Sequence, residues 1–444
     1  MADPAPAACG GERRCDVFII GGGPAGSTAA ALLAERGWNV VIAEKDRHPR
    51  FHIGESLLPL NVELFERLGV LEEIRRIGMV KLGAELNSPL HDAPVTLDFS
   101  QAWDKRYPYA FQVRRSEFDR VLFEHCQSRG ARGLQECRVT AVDFPAGGDV
   151  GISVQPRDGE SQRWRARYLV DASGRDTFMA NRLGIKRRNP RHASAALYGH
   201  FTGARRLPGC AEGNISLFWF EHGCFRFIPL LDGTTSVGAV CTPQYLRSRR
   251  SDPTAFFMDT IALCPALAGR LTGATLTGPA TATGNYSYQS RDMAGDRYIL
   301  LGDAYAFVDP VFSSGVYLAM HSAFVGAEVV DGCLRDPARA PALQRRLRRS
   351  VRHGLKQFSW FIYRMTRPAM RSLFMAPRNA LRMQEALLSL LAGDLFRGTP
   401  IYPSLSAFKL VYYLTSLGQL RQSLAAWRGS RRARRELAAE SRLP

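Results

Sequence analysis

A glycine-rich loop near the start of the chain has the spacing that binds a pyrophosphate. The apolar run at residues 17–20 is typical of a buried strand, and the loop Gly21-Gly22-Gly23-Pro24-Ala25-Gly26 follows it before a run of small residues that predicts a helix. Gly21 permits a tight turn, Gly23 lets the backbone approach a phosphate, and Gly26 lets helix and strand pack closely. The helix start offers free N–H groups and a positive dipole end. The residues predicted to bind the dinucleotide here are Gly21, Gly23, Pro24, Ala25, Gly26 and Ser27.

Two carboxylates stand where further apolar runs end. Residues 40–43 predict a second strand, and Glu44 follows it at the distance where an acidic side chain takes ribose hydroxyls. Residues 168–174 and the pair Gly302-Asp303 resemble the second and third fingerprints of the glutathione-reductase-like FAD hydroxylases. This resemblance favours FAD over NAD, with Asp303 near the ribityl or pyrophosphate region. Arg115, in Arg-Ser-Glu-Phe-Asp, resembles an element whose arginine faces FAD, although an exposed helix start would have the same pattern.

No second strand–glycine–helix fingerprint for a nicotinamide cofactor is visible in the sequence. That pattern fits NAD(P)H that visits without a domain of its own, and it equally fits reduced flavin delivered by a partner. The alternation of strands and helices predicts an α/β protein with a glutathione-reductase-like FAD-binding fold, three-layer ββα with a parallel sheet. The FAD-binding module takes residues 15–335, with a substrate-side mixed β-sheet interleaved at about 190–290. Residues 336–444 predict a C-terminal helical region with a basic tail.

Composition predicts a cytoplasmic enzyme. The chain has 444 residues, and no apolar run approaches the length that crosses a bilayer, which predicts no transmembrane segment. Residues 1–14 lack the apolar centre of a signal peptide and predict a disordered start. The nine cysteines are scattered without metal-like pairing, so we expect reduced thiols and no metal site.

The net charge of +18 is concentrated late in the chain, at residues 345–356 and 431–435. A solvated helix face with a basic tail accounts for it. Nucleic acid is a poorer explanation, because no nucleic-acid module is present. An acidic protein partner, such as an acyl or peptidyl carrier protein, is the third alternative.

From about residue 15 to about 400 the chain resembles the flavin-dependent halogenases. The resemblance rests on Gly21 to Ser27, Phe51-His52-Ile53-Gly54-Glu55-Ser56, Lys81 in Val-Lys-Leu-Gly-Ala, Ser236-Val237-Gly238, and the segment from Phe307 to Gly315. It is strongest to the branch that acts on pyrroles and phenols, often on a carrier protein. In the tryptophan branch a glutamate precedes the Ser/Thr-Gly pair, and Phe312 occupies that position here.

The resemblance implies a chemistry and a set of residue roles. FAD, reduced by a separate flavin reductase, and oxygen oxidise chloride or bromide to hypohalous acid. The halide lies near the backbone N–H groups of Ser314 and Gly315, and Pro310 and Gly315 lie beside FAD. Lys81 takes the oxidant and presents halogen to an electron-rich aromatic ring, free or tethered to an acyl or peptidyl carrier protein. Lysine suits this role because burial lowers its pKa toward a nucleophilic amine.

One segment departs from the halogenase pattern. Halogenases usually carry Trp-x-Trp-x-Ile-Pro, thought to keep substrate away from the flavin, and the matching residues here are Cys224-Phe225-Arg226-Phe227-Ile228-Pro229. Either Phe225 and Phe227 supply the bulk from offset positions, or the barrier is absent. An FAD-dependent aromatic monooxygenase, a related flavin reductase and a non-catalytic flavoprotein therefore stay open beside the halogenase.

Overall fold

The computed structural model describes residues 12–189, 195–249, 251–283, 287–308 and 312–419, so Pro310 and the basic tail at 431–435 lie outside the described residues. The strands are β1 (Arg13–Ile20), β2 (Val40–Ala43), β3 (Gly78–Lys81), β4 (Gly83–Asn87), β5 (Val95–Asp98), β6 (Ala110–Val113), β7 (Arg132–Leu134), β8 (Cys137–Asp143), β9 (Val150–Pro156), β10 (Gln162–Asp171), β11 (Lys186–Arg188), β12 (Ala195–Thr202), β13 (Ile215–Phe220), β14 (Gly223–Pro229), β15 (Thr235–Cys241), β16 (Thr275–Leu276), β17 (Thr281–Thr283), β18 (Tyr288–Ser290), β19 (Ala294–Gly295), β20 (Tyr298–Leu300) and β21 (Ala306–Phe307). The helices are α1 (Pro24–Ala34), α2 (Pro59–Leu68), α3 (Leu71–Ile77), α4 (Arg115–Ser128), α5 (Phe178–Arg182), α6 (Pro243–Arg247), α7 (Pro253–Ala262), α8 (Pro265–Arg270), α9 (Gly315–Arg335), α10 (Ala340–Ile362), α11 (Pro368–Met375), α12 (Met383–Ala392) and α13 (Tyr402–Gly418).

A parallel sheet carries the nucleotide-binding half. Its order is β19-β20-β10-β1-β2-β7, with β20, β10, β1, β2 and β7 parallel and the antiparallel pair β9–β8 joined to β10. β1 and β2 are apolar and almost wholly buried over residues 17–20 and 40–43, as continuous hydrophobic strands of a covered parallel sheet must be. α1 packs against α9 and α4. The predicted α/β fold is confirmed.

The first strand begins earlier than the sequence predicts. The sequence predicts a disordered start through residue 14. Arg13 and Arg14 instead lie in β1 and pair in parallel with Trp164 and Arg165 of β10. The apolar run begins only at Val17, so hydrophobicity alone places the strand too late. Backbone pairing with the exposed end of β10 extends it.

A second, mixed sheet forms the opposite wall of the site. Its order is β16-β12-β15-β14-β13-β4-β5, with β17 also on β12, and every pairing is antiparallel except that of β13 with β4. The strands β12 to β17 occupy the region predicted at about 190–290. β4 and β5 extend the same sheet from the segment between β2 and α4, which the sequence did not predict to be part of it.

The remaining elements close the molecule around these sheets. β3 and β6 form a two-stranded antiparallel ribbon in which Lys81 lies opposite Ala110. After α9 the described chain is helical through α13, with Phe358, Phe361 and Phe374 buried, and this confirms the predicted C-terminal helices. Among the described residues, no helix is both long and apolar enough to pass through a bilayer.

Candidate functional site

A cavity of about 1080 Å³ lies between the two sheets. Its floor is formed where β1, β2 and β10 end, at Gly21, Glu44 and Ala172, and its far wall by residues of β12, β14 and β15. The carboxyl ends of parallel strands are where open α/β sheets bind ligands. The cavity is large enough for a dinucleotide, so its lining residues are the test of whether FAD fits.

The glycine loop fits a pyrophosphate. A Cβ at Gly21 would overlap the Ala172 carbonyl oxygen, and one at Gly26 would overlap the Gly21 carbonyl oxygen. A Cβ at Gly23 would meet only the Arg50 guanidinium, 3.7 Å away, so the backbone at Gly23 faces open space. Two glycines therefore close the turn, and the third leaves room at the start of α1 for a phosphate, as predicted.

Ser27 holds the loop and does not line the cavity. It is buried in the first turn of α1, and its Oγ donates to the Gly22 carbonyl oxygen at 3.1 Å. Pro24 and Ala25, in contrast, line the cavity. The six loop residues chosen from the sequence therefore divide into those that face a ligand and those that keep the turn closed.

Glu44 is held in position by backbone donors. The Gly22 N–H donates to its Oε2 at 2.8 Å and the Asp46 N–H to its Oε1 at 3.1 Å, while Arg50 lies 3.3 Å from Oε2. Each carboxylate oxygen keeps lone pairs for a further donor. Glu44 lines the cavity, and its role in accepting ribose hydroxyls stays a prediction.

Arg115 is buried and paired, not an exposed helix start. Its Nε and Nη2 donate to the two carboxylate oxygens of Asp119 at 2.9 and 3.1 Å, and Arg50 bonds the same Asp119 at 3.1 Å. Burial raises the pKa of Asp119, but Arg115 and Arg50 outweigh it and hold that pKa below its usual range. Arg115 also lowers the pKa of His52 to about 4, with burial adding to the effect. Asp119 thus fixes two cations at the cavity wall.

Asp303 lines the cavity directly after the strand β20. Gly302 takes a φ of +56°, and a Cβ there would press against Ala319 of α9 and Ala25 of α1, so the turn after β20 can pass close to both helices only with glycine at this place. Burial raises the pKa of Asp303 to about 6. Ser314 and Gly315, at the N-terminus of the 21-residue helix α9, line the same cavity.

Lys81 lies outside this cavity, in a separate chamber of about 40 Å³. Its ammonium donates to Ser56 Oγ at 3.0 Å and to the Leu57 carbonyl oxygen at 2.6 Å. The Nζ also lies 5.3 Å from the centre of the Phe99 ring. Burial lowers the pKa of Lys81 from 10.5 to about 7. Lys81 has no carboxylate partner in the described part of the chain, and burying an unpaired ammonium destabilises the fold. Groups with a pKa perturbed in this way cluster at functional sites.

Two serines stand between the cavity and the chamber. Ser56 lines the cavity while its Oγ accepts the Lys81 hydrogen bond, and Ser313 lines both spaces. Phe312 lines only the chamber, so an apolar ring occupies the position where the tryptophan branch places glutamate.

The offset-phenylalanine hypothesis is wrong. Phe225 and Phe227 lie in a hydrophobic core on the far face of the second sheet, whereas Arg226 and Ile228 line the cavity. Side chains alternate between faces along a strand, so β14 cannot turn both sets inward. The side chain that faces the cavity at the second tryptophan position is Arg226, which is 8% exposed.

Several residues of the site were missed from sequence. Glu55 is buried, its Oε1 lies 2.9 Å from His200 Nε2, and its Oε2 has no hydrogen-bond partner among the described residues. Arg50 and Asp119 form the paired wall described above. The sequence indicates Glu55 only through its place in Phe51-His52-Ile53-Gly54-Glu55-Ser56.

Comparison with known proteins agrees with this geometry. Residues 14–343 match the FAD binding domain family. The chain is 29% identical over 406 residues to a 1H-pyrrole-2-carbonyl-[peptidyl-carrier protein] chlorinase of Pseudomonas fluorescens, covering 86% of this chain and 90% of that protein. It is 34% identical to a tryptophan 2-halogenase of Chondromyces crocatus, covering 71% of this chain but only 60% of that protein.

A solved structure extends the match to three dimensions. The myxobacterial chondrochloren halogenase CndH superposes with a TM-score of 0.76 at 31% identity, covering 91% of this chain and 97% of that one. The dinucleotide cavity, its glycine loop and Glu44 fit FAD on their own geometry. The chain belongs to the flavin-dependent halogenases and is an FAD-dependent enzyme.

Proposed function

We propose that this enzyme installs chlorine or bromine on an electron-rich aromatic ring and that Lys81 delivers the halogen. The observation that carries the proposal is the buried Lys81, held by Ser56 and Leu57 in a chamber next to the cofactor cavity. A pKa of about 7 leaves both protonation states populated near neutral pH. The ammonium can donate a hydrogen bond to an oxidant, and the amine can react with it.

Reduced FAD with oxygen, when bound, supplies the oxidising power that converts halide to hypohalous acid. Gly21, Gly23 and Glu44 hold the dinucleotide, while Asp303 and Arg115 line its cavity. Ser314 and Gly315 are the proposed halide site, because the free N–H groups and positive end of α9 suit an anion there. Pro310, proposed beside them, lies outside the described residues.

In this proposal, oxidant formation and ring halogenation take place in separate spaces. Ser56 and Ser313 provide polar atoms on the way from the cavity to Lys81, and the chamber walls beyond are apolar, including Phe312, Phe374 and Met365. At about 40 Å³ the chamber has little more than the roughly 30 Å³ share of one water molecule. Side chains of this wall must move before an aromatic ring can enter.

A carrier-bound ring is the substrate form that the similarity favours. The Pseudomonas relative is named for a pyrrole-2-carbonyl group on a peptidyl carrier protein. A separate flavin reductase supplies the reduced FAD in this proposal. A cytoplasmic location belongs to it as well, because the described cysteines are free thiols.

The test incubates the purified chain with FAD, a flavin reductase and NADH, in chloride and then in bromide. The substrates are a pyrrole-2-carbonyl peptidyl carrier protein and a free phenol, and product mass is the readout. Lys81→Ala should keep FAD binding and lose halogenated product, while exposed Lys105→Ala should match the parent. Normal halogenation by Lys81→Ala would overturn its assigned role. A product that gains only oxygen would identify a monooxygenase instead.

A further inference from the structure

The helix α13 is apolar on two faces, and only one of them is covered by other residues that the structure describes. Leu405, Phe408 and Tyr412 are buried against the neighbouring helices. Residues 410, 413, 414 and 417 recur at helical spacing along another face. The side chains of Leu410, Tyr413, Leu414 and Leu417 are 60%, 48%, 58% and 65% exposed, and we name these four the α13 patch.

A contiguous apolar surface of this kind marks an interaction site more often than chance exposure does. The spacing is that of a helix that offers anchors at i, i+3, i+4 and i+7. Scattered single exposed leucines would need no explanation, but four on consecutive turns of one helix do. The rim of the patch shows what chemistry its partner must have.

Three cations, Lys356, Arg364 and Lys409, lie close to one another on the side of the patch that carries Tyr413. Arg364 donates to the Tyr413 hydroxyl at 3.3 Å, and Lys409 donates to the Gln357 Oε1 at 3.2 Å. The pKa of Lys409 is lowered by burial and then by the charge of Lys356. Within the described residues none of the three cations forms an ion pair with a carboxylate. They repel one another, and an acidic partner would relieve that repulsion.

The surrounding sequence has the same charge. Residues 337–419 contain fourteen arginines and lysines against only Glu385 and Asp394. A positive field of this size steers acidic partners and raises their rate of encounter.

The helix α13 packs on α11 and α12, and each of these helices contributes a side chain, Phe374 and Leu391, to the wall of the Lys81 chamber. Arg364, which contacts Tyr413, precedes Met365, and Met365 lines the chamber. At the far end of α13, Gln419 donates to Ser372 Oγ at 3.3 Å on α11, the helix that also provides Phe374 to the chamber wall. A partner on the patch would therefore contact the helix that packs on these two chamber-forming helices.

We propose that the α13 patch, with Lys356, Arg364 and Lys409, is the docking surface for an acidic carrier protein that bears the aromatic substrate. The assignment rests on the proposed carrier-bound substrate. The packing of α13 on the helices that wall the Lys81 chamber favours a partner that delivers substrate over a membrane surface.

The basic segment predicted from sequence is a poorer docking surface. Arg346 pairs with Glu328 at 2.9 Å, and Arg348 pairs with Asp292 at 2.7 Å. Arg345 and Arg349 remain exposed, but no large apolar side chain of α10 is exposed beside them. They provide the matched control for the charge of the patch.

The binding test uses the full-length FAD-loaded chain and a fluorescently labelled pyrrole-2-carbonyl peptidyl carrier protein. Leu410→Ser/Leu414→Ser and Lys356→Glu/Lys409→Glu should each weaken its binding about tenfold or more, and wild-type binding should weaken with salt. Arg345→Glu/Arg349→Glu and the exposed control Leu90→Ser should bind as the wild type does. Equal affinity of the patch variants and the wild type would overturn the proposal.

The activity test separates docking from chemistry. Leu410→Ser/Leu414→Ser and Lys356→Glu/Lys409→Glu should each lose turnover of the carrier-bound ring. Both should keep wild-type turnover of the ring as a free thioester. Failure of wild type to halogenate either form would contradict the proposed function, while the binding measurement would still decide the docking surface. Patch-dependent sedimentation with phosphatidylserine vesicles, or patch-dependent dimerisation, with carrier binding unchanged would assign the patch to that other occupant and overturn the proposal.

Discussion

Lys81→Met should stabilise the protein by an amount that depends on pH. Burial lowers the folded-state pKa of Lys81 to about 7, whereas the unfolded chain keeps a value near 10.5. At high pH Lys81 therefore does not destabilise the folded state, because the amine is neutral in both the folded and the unfolded chain. As the pH falls from about 10.5 to about 7 the unfolded chain takes up the proton first, and the penalty on the folded wild type grows. Below pH 7 it is constant.

The size of the effect follows from the two pKa values. Full charging costs the folded state on the order of 5 kcal/mol, since each tenfold change in proton affinity is about 1.4 kcal/mol. Between about pH 9 and about pH 6 the penalty should grow by about 2–3 kcal/mol. Methionine leaves Ser56 Oγ and the Leu57 carbonyl without their donor, which costs about 1–3 kcal/mol but equally at both pH values.

Urea denaturation of the wild type and Lys81→Met, at matched FAD concentration, measures the difference at each pH. Exposed Lys105→Met is the control and should show no pH-dependent difference. The chain has six lysines, so ¹³C-labelled lysine should give few enough signals to titrate Lys81 directly. A stability difference that does not change between about pH 9 and about pH 6, or an ordinary titration of Lys81, would refute the reasoning.

Three further perturbations probe the cavity. Gly23→Val should fold but lose FAD binding, because its side chain enters the open space of the loop, whereas Gly269→Ala, also in open space, should bind FAD normally in a fluorescence titration. Asp119→Asn should cost about 3–5 kcal/mol in urea denaturation by leaving Arg115 and Arg50 without a carboxylate. That loss should be full at neutral pH and should shrink as the pH falls from the ordinary pKa of an aspartate in the unfolded chain to the lowered pKa of Asp119 in the folded wild type. Arg226→Ala should open the cavity wall and raise hydrogen peroxide released per halogenated product several-fold, and an unchanged ratio would contradict a barrier role.

The sequence predicted what depends on local geometry. Gly21 and Gly26 are places where only a hydrogen fits, and β2 ends at the residue before Glu44, so the glycine spacing and the apolar runs were enough to place the dinucleotide. The same holds for Asp303, which follows Gly302 in a tight turn at a strand end. These features need no knowledge of distant contacts, because a strand, a turn and a helix dipole act within one stretch of chain.

The features that sequence missed come from contacts between distant segments. The bond from Lys81 to Ser56 joins residues 25 apart, and Asp119 reaches Arg50 across 69 positions. No period or spacing encodes such pairs. The face of β14 was also undetermined, since alternation shows which residues share a side but not which side faces the cavity. Only the packing of Phe225 and Phe227 under α7 and α8 decides that Arg226 turns inward.

In the mechanism proposed above, the position of Lys81 accounts for a site with two compartments. A neutral amine that reacts with a hypohalous acid must be shielded from bulk water and from competing nucleophiles, and the same burial lowers its pKa to about 7. If Lys81 lay in the large cavity, the bound dinucleotide and the carboxylates of Glu44 and Asp303 would share its space, and their charge would raise its pKa again. The chamber therefore places the lysine away from the acidic groups that bind the cofactor. Ser56 connects the two spaces, because it lines the cavity and holds the Lys81 nitrogen with the same side chain.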